Sequence, residues 1–167
     1  MDVTLAMVCA EIKNWFYLYD DEGKPIFQKG DYSIGGEHIS PVEIMLLPGQ
    51  YIRIIGSVLN DGVYLIPEDG GAGSYSYLLE GSRNEEFKGY LIPMAVPLDF
   101  IVLVDEIKTY QDKSAQDQNS GAVTSESFSG YSYTKATTLS GAAVSWREVF
   151  SSRLGVYRKM FAERIDE

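Results

Sequence analysis

Histidine, cysteine and paired carboxylates build most catalytic and metal-binding sites, and in this chain they are few and poorly spaced for either purpose. His38 is the single histidine and Cys9 the single cysteine, which excludes an intramolecular disulfide and a Cys-based zinc site. His38 follows the turn glycines Gly35-Gly36 and reads as a solvated or hydrogen-bonded loop residue. Cys9 falls on an apolar helix face and reads as a small buried hydrophobe, with nothing nearby to lower its pKa. The neighbours Glu85-Glu86 and Asp105-Glu106 point different ways in a strand or helix, which is wrong for a pair of acid/base carboxylates. Asp20-Asp21-Glu22 lacks the spaced oxygen ligands of an EF-hand loop, and Gly70-Gly71-Ala72-Gly73 lacks the Lys and Ser/Thr that complete a phosphate loop. They read as a solvated turn and a hairpin tip. The sequence therefore predicts no enzyme, no cofactor and no metal.

The chemistry that the chain does advertise is recognition. Thr124-Ser125-Glu126-Ser127-Phe128-Ser129-Gly130-Tyr131-Ser132-Tyr133 cannot supply a packed core, but tyrosine offers large contact area at little side-chain entropy cost, as adaptable interfaces require. A capping box, Ser145 to Glu148, then opens a helix whose stripe of Trp146, Val149, Phe150, Leu154, Tyr157 and Phe161 is surrounded by Arg147, Arg153, Arg158, Lys159 and Arg164. Phe128, Tyr131, Tyr133, Trp146, Arg147, Phe150, Arg153, Leu154, Tyr157, Arg158, Lys159 and Phe161 are thus the candidate partner-binding residues. For the first half of the stripe, a C-terminal helix docked on its own core is the competing reading.

Composition sets the outer bounds. A chain of 167 residues can bury a sizeable core without metal or disulfide staples. No apolar run approaches the roughly 20 residues that span a bilayer, and Met1-Asp2-Val3-Thr4 lacks a basic signal-peptide region, so a soluble protein, intracellular at synthesis, is expected. The formal net charge of -10 argues against broad nucleic-acid affinity. From Arg147 to Glu167 five basic residues face four acidic ones, a net of +1, which leaves -11 on residues 1–146.

Apolar periodicity divides the chain. Leu5, Val8, Cys9, Ile12 and Phe16 share one face of a helix with Thr4 as N-cap, which gives an N-terminal core helix over 1–19. Residues 20–96 read as a β-rich insertion, a small antiparallel sheet or barrel with runs at Pro25–Phe27, Ile44–Leu47, Tyr51–Val58, Val63–Ile66, Tyr75–Leu79 and Tyr90–Val96. Asn60-Asp61-Gly62 signals a primed hairpin turn with positive φ. Pro97 opens a central core helix over 97–111, apolar almost all round. Residues 112–144 read as a mobile linker and an extended Tyr/Ser-rich arm, and 145–167 as the partner-binding helix.

The segments Ser125-Glu126-Ser127, Gly130-Tyr131-Ser132-Tyr133, Arg153-Leu154 and Tyr157-Arg158-Lys159-Met160 resemble the head–tail connector (adaptor) proteins of long-tailed bacteriophages and prophages. That family combines a Ser-Glu-Ser turn, a Tyr/Ser-rich extended arm and a short terminal helix containing a Tyr-Arg pair. The helices before Asp20 and after Pro97 look like its two core helices. The stretch from Gly49 to Tyr64 is similar to uncharacterised prophage proteins encoded among capsid and tail genes. The resemblance implies a helical connector core and an extended C-terminal arm. Members of that family are mostly helical between the core helices, and here the β-rich residues 20–96 stand in that place as an inserted small antiparallel β-barrel or sheet, so the expected fold class is α+β. The resemblance also implies a structural virion protein at the head–tail junction, found in the host cytoplasm during assembly. Twelve subunits would form a ring, with the arm and terminal helix gripping the portal protein. The other face would receive a neck or tail completion protein, a stopper or tail terminator. Viral DNA would pass through the channel without specific binding, and no membrane would be involved. The alternative is a small β-barrel that binds a peptide or sugar in a groove lined by Tyr51, Tyr64, Tyr75 and Tyr77.

Overall fold

The computed structural model describes residues 3–68, 75–120, 125–128, 131–134 and 144–161, with 116–120, 125–128 and 131–134 described as backbone. The chain divides into a helical unit, Met1–Asn14 with Leu98–Ala162, and a sheet unit centred on Trp15–Pro97.

The sheet unit contains β1 (Gln28–Gly35), β2 (His38–Ser40), β3 (Tyr51–Ile55), β4 (Gly62–Leu65), β5 (Tyr77–Leu78) and β6 (Glu85–Met94). They form one antiparallel sheet in the order β4-β3-β6-β1-β2-β5. Strand alternation puts Tyr32, Ile34, Ile39, Ile52, Ile54, Phe87 and Leu91 on one face. Val42, Leu46, Ile66 and Leu79 from the connections complete the core against it. Ten-residue β6 is the spine, pairing with β3 and β1. Pro93 is tolerated there because β1 pairing ends at Leu91, so the missing N–H lies where no ladder bond to β1 is needed. Its carbonyl instead accepts from Leu18 N at 3.2 Å.

Two glycines let β3 and β6 approach. A Cβ on Gly89 would lie 2.1 Å from the Ile55 carbonyl oxygen, and Gly56 (φ +95°) would place one 2.8 Å from the Lys88 carbonyl oxygen. The positive φ that turns the chain out of β3 therefore belongs to Gly56, and Gly62 lies in β4 opposite Ile54. Asn60-Asp61-Gly62 is not a primed two-residue turn. It ends a longer loop.

In the helical unit, α1 (Leu5–Ile12) is capped by Thr4, whose hydroxyl accepts from Met7 N at 3.3 Å. α2 runs Leu98–Ser120, and α3 (Trp146–Val149) and α4 (Ser151–Gly155) are separated by Phe150 (φ -97°, ψ 7°). Val8, Cys9 and Ile12 of α1, Phe100, Leu103, Val104 and Ile107 of α2, and Trp146, Phe150 and Leu154 are all buried. A separate hairpin pairs β7 (Ser125–Phe128) with β8 (Tyr131–Thr134), so Ser125-Glu126-Ser127 is strand and not turn. α2 continues nine residues past Gln111, through the stretch expected to be a linker. Loss of apolar periodicity after Tyr110 marks the end of its buried face, not of the helix.

The fold class expected from the sequence is corrected on two counts. The described residues are dominated by a six-stranded sheet, not by a helical connector core, because α1 spans only eight residues and α3 and α4 four and five. The sheet is also open and not a barrel: its edge strands β4 and β5 have four and two residues and do not pair with each other. Strands this short give too few ladder bonds to close it.

The glycine geometry generates an ordered stability series. Gly89→Ala and Gly56→Ala should each cost about 1–3 kcal/mol, because backbone atoms must move to admit the methyl group. Gly62→Ala, whose Cβ would find only the Tyr64 ring at 3.8 Å, should be within about 0.5 kcal/mol of wild type. Urea denaturation of the three variants checks the order; a Gly62→Ala loss equal to the other two would contradict it.

Candidate functional site

The structure divides the candidate partner-binding residues into internal and exposed groups. Trp146, Phe150 and Leu154 are buried in the helical unit. Phe150 makes an edge contact with Tyr110 at 5.7 Å between centroids, and the Tyr110 hydroxyl donates to the Val144 carbonyl at 2.8 Å. Tyr157 packs edge-on against Phe100 at 4.9 Å and donates its hydroxyl to Asp99 Oδ2 at 2.5 Å. This bond, then burial, raises the Tyr157 pKa.

The basic residues are likewise engaged within the unit. Arg147 Nε lies 2.7 Å from Glu11 Oε2 and Arg158 Nη2 lies 3.4 Å from Glu11 Oε1, while Arg153 pairs with Glu106. The Arg147 guanidinium also lies over the Trp146 ring at 4.6 Å. Lys159 contributes its backbone N–H to the Ile12 carbonyl at 2.9 Å. Asn14, itself buried, donates its side-chain amide to the Tyr157 carbonyl at 2.9 Å. Ser145 caps α3, accepting from Arg147 N at 3.3 Å, and the helix stops at Gly155 before the apolar stripe is complete.

What stays open lies beyond that stop: Val156, Met160 and Phe161 are 82%, 85% and 82% exposed. In the hairpin, the register places Phe128 opposite Tyr131 and Glu126 opposite Tyr133, so positions 126, 128, 131 and 133 share one face of the ribbon. Positions 125, 127, 132 and 134, all Ser or Thr, share the other.

The densest polar constellation in the sheet unit is one that sequence spacing passed over. Glu85, at the start of β6, accepts from the Ser57 hydroxyl (2.5 Å), Val58 N (2.9 Å), Leu59 N (3.1 Å) and the Asn60 side-chain amide (2.9 Å). Asn60 also bonds to Arg83 in both directions, donating to its carbonyl at 3.0 Å and accepting from its N–H at 2.7 Å. Its own N–H donates to Ser57 Oγ at 2.7 Å. The Glu85 carboxyl is held below its ordinary value, chiefly by the Ser57 hydroxyl, with burial opposing and the Val58, Leu59 and Asn60 donors assisting. A carboxylate ringed by donors stays ionised and acts here as a structural acceptor, not as a proton donor. It fixes a loop that leaves Val58 and Leu59 in solvent. Ser57-x-x-Asn60, polar residues flanking two apolar ones, was the legible signal.

On the opposite face, Arg53 stacks on Trp15 at 3.4 Å and donates to the Tyr17 hydroxyl, which fastens the segment entering the sheet unit. Of the four tyrosines expected to line a groove, Tyr51 and Tyr64 lie on opposite faces of the β3–β4 ladder and Tyr77 is buried. His38 Nδ1 lies 2.9 Å from the Gly36 carbonyl, but the residue opens β2, opposite Gly35 and Leu78, and is not the loop residue that the sequence suggested. Among the described residues no three His, Cys, Asp or Glu side chains stand where they could hold a metal ion, and no helix is long and apolar enough to cross a membrane.

No protein-family model, curated protein or solved structure matches this chain.

The Glu85 network makes stability depend on pH in a defined direction. With a folded-state pKa below the unfolded value near 4.5, its stabilisation is present above about pH 4.5 and is lost as pH falls through the folded value. Glu85→Gln should lower the urea midpoint at about pH 7, since one acceptor becomes a donor among donors, and should flatten the fall seen in wild type toward about pH 3. Parallel pH profiles of variant and wild type would contradict this role.

Proposed function

We propose that the chain is a structural protein of the bacteriophage head–tail junction, a connector whose copies form a ring beneath the portal and join it to a neck or tail completion protein. The observation that carries this reading is the exposed apolar end of the helical unit, Val156, Met160 and Phe161, in the segment whose Tyr157-Arg158-Lys159-Met160 resembles the terminal helix of connectors. Three large apolar side chains left in solvent within six residues, beside neighbours that are engaged internally, are the pattern of a docking end. The Tyr/Ser-rich segment of the same resemblance forms a two-stranded ribbon, an element that is marginal alone and gains stability on a partner.

Charge supports a DNA conduit. Residues 15–97 carry twelve Asp/Glu against five Lys/Arg, a net of -7. Such a surface repels phosphates, so a genome would pass without being held. The alternative of a peptide- or sugar-binding barrel has less support, because the sheet is open and its tyrosines do not assemble on one face.

The docking role now falls on other residues than the whole terminal stripe. Phe161→Ala should weaken binding to the portal protein of the same genome by about 2 kcal/mol or more, a hot-spot loss, at unchanged thermal stability. Trp146→Ala should instead destabilise the helical unit by about 3–5 kcal/mol. Sedimentation binding with circular dichroism on each variant separates the two effects. Wild-type portal capture by a chain ending at Lys159 would overturn the assignment.

A further inference from the structure

The sheet unit ends in an edge that lacks the usual protection. β4, Gly62-Val63-Tyr64-Leu65, contains no charge and no proline, whereas solvent-facing edges in monomers are normally blunted by one or the other. The opposite edge, β5, is protected by having only two residues. In the β3–β4 ladder Ile66 N donates to the Gln50 carbonyl, so the hydrogen-bonded pairs are 50–66, 52–64 and 54–62. Val63 and Leu65 therefore turn their N–H and C=O groups outward, and among the described residues nothing pairs with them. Leu65 is 46% exposed. The Glu85 network fixes the loop before β4, so the edge is presented in one conformation.

A free backbone edge is complementary to an extended strand, and the flanking charges narrow the choice. Exposed Asp61 and Glu68 stand at the two ends of β4. The chain itself supplies a strand of matching character. β8, Tyr131-Ser132-Tyr133-Thr134, has no charge, is followed by Lys135, and precedes a stretch with no acidic residue before Glu148. Its partner β7 carries Glu126. The β7–β8 ribbon has only two strands, so the side of β8 away from β7 is a second open edge among the described residues.

We propose that β8 of one copy adds to the β4 edge of a second copy. Each chain then gives one edge and receives another, a head-to-tail contact that repeats around a ring. The contact would extend the six-stranded sheet by the ribbon and stabilise both. It deepens the ring reading above and rests on that reading only for closure of the contact into a ring.

The test uses the full chain. Val63→Pro removes an outward N–H and leaves the bonds to β3 in place; Leu65→Lys puts a charge on the same edge and guards against a folding defect in the first variant. In analytical ultracentrifugation both variants should raise the self-dissociation constant about tenfold or more, with wild-type circular dichroism. Separately, mixing Leu65→Cys protein with Ser132→Cys protein should give a mixed disulfide dimer in excess of either homodimer. Unchanged self-association in both folded variants, a wild-type chain that stays monomeric, or homodimers alone would overturn the proposal. Portal binding of the same samples keeps the two readings apart. A mixed dimer without portal binding sinks the connector and leaves the edge contact standing, and portal-bound rings formed equally well by Val63→Pro protein do the reverse.

Discussion

The helical unit depends on the two ends of the chain closing on each other. Ile12 at the end of α1 receives the Lys159 N–H, Asn14 holds the Tyr157 carbonyl, and Glu11 faces both Arg147 and Arg158. Each exposed ion pair is worth little alone, about 0–1 kcal/mol. The buried contacts of Trp146, Phe150 and Leu154 supply the larger stabilisation, and the polar contacts fix where the terminal segment lies. Closure of this kind joins residues far apart in sequence, so its contacts must offset the entropy of closing a long loop. It also explains why most of the aromatic and basic residues near the C-terminus are not free for a partner, whereas Val156, Met160 and Phe161 beyond Gly155 are.

The sheet unit has a comparable constraint in the meeting of β3 and β6. Gly56 and Gly89 allow a backbone approach that no side chain would permit, and Glu85, at the start of β6, gathers the donors of the loop that follows β3. Cross-strand backbone packing and a carboxylate acting as a loop template together determine how β4 is presented. A loop with apolar Val58 and Leu59 in solvent keeps its conformation because its polar groups are satisfied from beneath, not because its own side chains pack.

Much of this was legible in the sequence where periodicity was strong. Thr4 as N-cap with Leu5, Val8, Cys9 and Ile12 on one face, the strands holding Tyr51–Ile55 and Val63–Leu65, and Leu103, Val104 and Ile107 as core positions follow from apolar spacing. β1 was missed because Gln28-Lys29-Gly30-Asp31 is polar and only Tyr32 and Ile34 show the alternation. The first half of β6 was missed because Glu85-Glu86 and Gly89 interrupt an apolar run, although tertiary contacts require both Glu85 and Gly89 there. Asn60-Asp61-Gly62 misled because turn propensity is local, while the acceptors that the Asn60 amide satisfies belong to residues more than twenty positions away. In the terminal stripe, composition alone could not separate residues that dock on their own core from those that remain exposed.

The two units thus offer separate surfaces: an apolar end on the helical unit, a strand edge on an acidic sheet unit, and a Tyr/Ser-rich ribbon between α2 and α3 in the sequence. The proposed ring beneath a portal is most directly tested by cryo-electron microscopy of the chain mixed with the portal protein of the same genome. The expected result is a closed ring under the portal, with Phe161 at the portal contact and continuous strand density joining β8 of each subunit to β4 of its neighbour. Portal particles without a ring, or a ring whose C-terminal ends point away from the portal, would contradict it.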